Sequence, residues 1–106
     1  MVADDIFDMP GHRTVLTGRV ESGKIALGSR VDVCSPARRV RVTVAGLEDV
    51  PARQILSSAE AGQVIGVVVR GFSIADVGDG VRRVEDRWEV VDLRIVASKS
   101  WWKLAQ

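Results

Sequence analysis

From residue 39 to 44 the chain reads Arg-Val-Arg-Val-Thr-Val. This strict alternation predicts a strand with Val40, Val42 and Val44 on one face and Arg39, Arg41 and Thr43 on the other. Val31-Asp32-Val33 alternates in the same way, and the run from Val15 to Val20 puts Leu16 and Val20 on a common face. The stretch Val64-Ile65-Gly66-Val67-Val68-Val69 is apolar at both parities, the pattern of a central strand covered on both sides. Trp88 to Ile95 predicts one more strand, whose apolar register switches at Val90-Val91 as at a bulge. Turn chemistry falls between these runs at Pro10-Gly11, Ser22-Gly23, Leu27-Gly28-Ser29, Ser35-Pro36 and Gly78-Asp79-Gly80. Ala52 to Ala59 and Ser73 to Val77 are the helical candidates, both too short for a helix without tertiary support. Short strands with frequent turns predict an all-β sandwich or small closed barrel. Leu16, Val20, Val31, Val33, Val40, Val42, Val44, Ile65, Val67 and Val69 are the expected core.

Composition sharpens this picture. The 25 Val and Ile residues against 6 Leu favour pleated strands over helices, and a length of 106 residues fits one domain. No apolar run approaches a membrane-spanning length, and Asp4 and Asp5 stand where a signal peptide needs basic residues. A soluble cytoplasmic protein with no membrane partner is expected. Fifteen basic and fourteen acidic residues give a net charge of +1, so any RNA contact is expected to be focal. One cysteine, Cys34, forms no internal disulfide, and with His12 as the lone histidine no soft-metal site is expected. Cys34 reads as a half-exposed strand residue.

Several segments invite a chemical reading. Gly18 to Lys24 approaches the phosphate-loop pattern, but Ile25 stands where the magnesium-binding hydroxyl belongs and Gly28 arrives before a helix could form. A hairpin turn is the better reading, and no nucleotide or other cofactor is expected. Asp4 and Asp5 are adjacent, and no nucleophile, base and acid arrangement surrounds His12, so a non-enzymatic role is expected. Arg38, Arg39 and Arg41 with Arg82 and Arg83 form either a phosphate-meeting surface or solvated faces balanced by Glu48, Asp49, Glu85 and Asp86. Trp101-Trp102 either packs across a barrel end or offers a stacking platform.

The run Thr14-Val15-Leu16-Thr17-Gly18-Arg19-Val20-Glu21-Ser22-Gly23 resembles the second domain of elongation factor Tu and related translational GTPases. Val44-Ala45-Gly46-Leu47-Glu48 resembles the family strand ending Gly-Val-Glu. Ala61-Gly62 followed by Ile65-Gly66-Val67-Val68-Val69-Arg70-Gly71 resembles its Ala-Gly-x-x-Val-Gly-Val-x-Leu-Arg-Gly strand, and Gly80-Val81 sits near its closing Gly-x-Val. The resemblance spans about residues 3–84, and it implies a closed, mainly antiparallel β-barrel. An extra strand over 87–97 completes a single domain of residues 1–97, with 98–106 as a C-terminal tail.

In that family the second domain holds the aminoacylated 3′ end of transfer RNA, and in relatives it touches ribosomal RNA. The positions that match its contact residues are Asp4, Asp5, Phe7, Thr17 and Glu48. Carboxylates accept hydrogen bonds from ribose hydroxyls or an amine, and an aromatic ring lines an apolar pocket. Val64 replaces a family Asn, His12-Arg13 replaces Arg-Gly, and the stretch from Glu48 to Ala61 is about two residues longer. The nucleotide-binding and third domains are expected to be absent, and with them half of the family's transfer RNA pocket. The expected role is a non-catalytic barrel that binds transfer RNA, ribosomal RNA or a translation component. The alternative is a protein-interaction module that docks on a translational GTPase or another protein, and the apolar Val64 favours it.

Overall fold

The alternating runs become strands that close on one another. The computed structural model describes residues 1–9, 11, 13–36, 38–77, 81–85 and 87–97. Pro10, His12, the Gly78-Asp79-Gly80 turn, Asp86, Trp101-Trp102 and the tail 98–106 lie outside the described residues. The strands are β1 (Val2–Met9), β2 (Arg13–Arg19), β3 (Lys24–Ala26), β4 (Arg30–Cys34), β5 (Arg39–Asp49), β6 (Gln54–Ile55), β7 (Ser58–Glu60), β8 (Val64–Arg70), β9 (Val81–Val84) and β10 (Arg87–Ala97). The order β1-β2-β8-β5-β4-β10 returns to β1, so six strands form a closed barrel in which every pairing is antiparallel. β9 extends the sheet beyond β10, β6 pairs with β5, and β3 pairs with β7 in a small separate sheet.

One parity of each barrel strand fills the interior. Ile6, Leu16, Ile65, Val67, Val69, Val33 and Leu93 are wholly inaccessible, and Val31, Val42, Val44, Leu47 and Ile95 pack beside them. The expected core is observed except at Val40, which is half-buried against it near the start of β5. Closure depends on β10, which pairs with β1 on one side and β4 on the other. The expected bulge is present: Ala3 faces Leu93 and Asp5 faces Glu89, so the register shifts between them. Asp92 absorbs the extra chain with a φ of 58°, a left-handed conformation that Asp tolerates better than most residues.

Three local expectations need correction. Residues 52–59 are not helical: a turn leads into β6, and Ser58 opens β7. The segment from Ser73 to Val77 contains only the short 3₁₀ turn Ile74–Asp76. Gly18 to Lys24 does turn at Ser22-Gly23, but β3 pairs with β7 rather than folding back on β2, so it is no hairpin. A run of few residues takes its conformation from the partner it finds, and here both Ala26 and Ala59 lie beside other strands. No helix among the described residues is long and apolar enough to cross a membrane.

Candidate functional site

β8 explains where the candidate site lies. Its inward residues Ile65, Val67 and Val69 are buried as expected, but its outward residues Val64 and Val68 are only half-buried. The second apolar face predicted for this strand is therefore real, and no further layer among the described residues covers it. The neighbouring strands continue that face.

The register sets side chains in rows across the outside of β1, β2, β8 and β5. Asp5 faces Thr17, Thr17 faces Gly66, and Gly66 faces Glu48. Two residues along each of the first three strands, Phe7 faces Val15, Val15 faces Val68, and Val68 faces Gly46. Strand rise separates the two rows by roughly 7 Å. Three of the five sequence-predicted residues thus share one row, and Phe7 occupies the next. Phe7, Val15, Thr17 and Val68 are all half-buried.

The glycines give the face its relief. A β-carbon on Gly66 would stand 3.4 Å from Val15 Cγ1, 3.9 Å from Thr17 Cγ2 and 4.0 Å from Val50 Cγ2. Gly66, itself buried, thus lies under a shallow apolar trough no deeper than about one β-carbon between those three side chains. Gly46 sits still more tightly, with its β-carbon position 3.2 Å from Val68 Cγ2.

The carboxylates are not equivalent. Glu48 is exposed and forms no ion pair among the described residues. Asp5 is engaged: Arg87 Nη1 donates to its Oδ1 at 3.3 Å and Oδ2 at 3.4 Å. Asp4 is the extra residue of the bulge between Ala3 and Asp5 and is exposed, outside the row. Of the three acids, Glu48 presents the uncommitted acceptor beside the trough.

The arginines group differently from either expectation. Arg39 Nε donates to Asp32 Oδ2 at 2.7 Å and Arg41 Nε to Asp32 Oδ1 at 3.3 Å. Burial alone pushes the Asp32 carboxyl up, but the hydrogen bonds and charges of these two guanidinium groups outweigh it and hold the carboxyl below its ordinary value. Arg38 pairs with Asp76 and Arg82 with Glu89, while Arg83 lies over the Trp88 ring, 5.8 Å from its centroid. The expected partners Glu48, Asp49 and Glu85 form none of these ion pairs. Sequence reading missed Asp32 as a hub because alternation marks only that it faces away from Val31 and Val33.

A hollow of about 550 Å³ at one end of the barrel, bounded by Met9, Arg13, Thr14, Phe72 and Asp76, holds none of the five predicted residues. Two of its polar side chains are engaged. Thr14 Oγ1 donates to the Phe72 carbonyl at 2.7 Å, and Asp76 Oδ2 accepts from the Ser73 backbone N–H at 2.9 Å. Cys34 is half-exposed on β4, as its alternation predicts. Among the described residues no group of three or more His, Cys, Asp or Glu side chains is placed to hold a metal ion. No protein-family model matches the chain.

Proposed function

We propose that the chain is a non-catalytic RNA-binding barrel of the kind its sequence resembles, the second domain of elongation factor Tu, and that the trough over Gly66 receives an RNA end. The observation that carries this reading is the row Asp5–Thr17–Gly66–Glu48 beside the apolar row Phe7–Val15–Val68. An unpaired base needs an apolar surface on which to lie, and its ribose needs an acceptor for its hydroxyls. Phe7, Val15 and Val68 supply the first, and the carboxylate of Glu48 supplies the second. A transfer RNA acceptor end is the favoured ligand, with ribosomal RNA as the broader class.

Chemical-shift mapping with a single-stranded RNA of acceptor-end sequence tests this. Shifts concentrate on β1, β2, β8 and β5, and Glu48→Ala weakens binding about tenfold, the worth of one charge-assisted hydrogen bond. Arg94→Ala, on β10 two strands from the β5 of Glu48 and paired with Glu21, leaves binding near that of the wild type. Equal binding by Glu48→Ala and wild type, or no binding at low salt, rejects the reading.

A protein-interaction role has its own support. Ile55 on β6 is 90% exposed and faces Glu48, and Val50 beside the trough is 41% exposed. Apolar groups at the rim, with Val64 nearby, suit a protein surface such as a translational GTPase better than a ribose-phosphate chain. Loss of RNA binding in the experiment above makes this the better account.

A further inference from the structure

Beyond the apolar row lies a third row. Met9 faces Arg13, Arg13 faces Arg70, Arg70 faces Thr43, and Thr43 faces Arg30, across β1, β2, β8, β5 and β4. All three arginines are exposed on the outer face, and none forms an ion pair among the described residues. Arg30, Arg70 and Thr43 also line a shallow depression of about 300 Å³ together with Arg41. In a chain of net charge +1, where Arg38, Arg39, Arg41, Arg82, Arg87 and Arg94 are each paired, three uncommitted guanidinium groups in one row stand apart.

The three rows form bands of different chemistry. Guanidinium groups come first, then the apolar side chains roughly 7 Å along β2 and β8, then the acceptors Thr17 and Glu48 after a further step of roughly 7 Å. In a nucleotide the ribose joins the phosphate to the base, so with the terminal ribose at Glu48 and its base on the apolar band, the phosphates of the preceding nucleotides are the ones that reach the arginine row. Arginine suits the first position because its planar fork donates two parallel hydrogen bonds to phosphate oxygens.

We infer that the row Arg13–Arg70–Arg30 is a phosphate subsite for single-stranded RNA, fixing the strand's direction across the barrel with its end at Glu48. This rests on the reading of the trough as the seat of an RNA end. Phosphate contacts position a strand without reading its sequence, so the row sets register and the trough selects the end.

Salt dependence separates the two ideas. Each phosphate neutralised on a single strand contributes about −0.7 to the slope of log K against log salt, so three contacts give a slope of about −2. The experiment measures binding of the acceptor-end RNA at several salt concentrations to wild type, Arg13→Gln, Arg30→Gln, Arg70→Gln, the paired control Arg82→Gln, and Glu48→Ala, with thermal melts establishing that each variant folds. The expected result is a slope shallower by about 0.7 for each of the first three variants, and an unchanged slope for Arg82→Gln. Glu48→Ala weakens binding at every salt concentration without altering the slope. If Glu48→Ala weakens binding while the three arginine variants keep the wild-type slope, the phosphate subsite is wrong and the trough reading stands. If the slopes change but Glu48→Ala has no effect, the subsite stands and the trough reading fails. Absence of binding at low salt overturns both.

Discussion

Gly18 is the residue whose identity the fold constrains most tightly. It faces Ala3 and Ile65, and a β-carbon there would fall on the carbonyl oxygen of Val2 beside the bulge of β1. Backbone atoms held in a ladder cannot move aside as a flexible side chain can. Gly18→Ala is therefore expected to destabilise the protein by ~2–3 kcal/mol, measured by urea unfolding. Gly18, which in the sequence opens the Gly18 to Lys24 segment that approaches a phosphate loop, thus owes its identity to close packing of β1 on β2. Asp32 makes a different prediction. Its carboxyl is held below the ordinary value of 3.8, so its charged form is favoured in the folded state and its contribution is full above that value. As pH falls through the lower folded value the contribution is lost. Unfolding curves of wild type and Asp32→Asn between about pH 2 and 7 should show a stability gap that is constant near neutrality and closes in acid. A gap independent of pH would show that Arg39 and Arg41 do not act through the charge on Asp32.

At the level of the strand, what was legible depended on whether one face was polar. β5 alternates Arg and Val, and Val42 and Val44 lie inward as that alternation predicts. β8 is apolar at both parities, which predicted cover on both faces; the uncovered outer face became the candidate site instead. The sequence around β6 and β7 suggests a helix only because two or three residues carry too little periodicity to choose a conformation. Asp5, Thr17 and Glu48 were named through a family resemblance, but only the register brings them into a row. The arginine row was invisible in the sequence, since Arg13, Arg70 and Arg30 sit at the ends of three strands whose pairing no local pattern states. β10 carries an element-scale prediction. A chain ending at residue 84 loses Leu93 and Ile95 from the core and leaves β1 and β4 without a partner on one side. It is expected to show no cooperative thermal transition and to bind a dye for exposed apolar surface. A sharp melt with a dispersed NMR spectrum would mean that the barrel closes without β10.

The molecule as a whole is held together by contacts distant in sequence. The strand expected as an addition over 87–97 is the one that shuts the barrel, and its pairing with β1 joins the two ends of the described chain. Pairings of such span form late and slowly, because loop closure must precede them. That same closure places the Met1 backbone nitrogen 2.9 Å from the Ile95 carbonyl oxygen, and the Ile95 nitrogen donates back to the Met1 carbonyl at 2.8 Å. Entry and exit of the barrel therefore lie about one strand spacing apart, some ~5 Å. A unit of this geometry behaves as a cassette. It can be spliced into a surface loop of a host protein through two short tethers without prising that loop open, and the outer face around β8, where the proposed site lies, would remain presented to solvent.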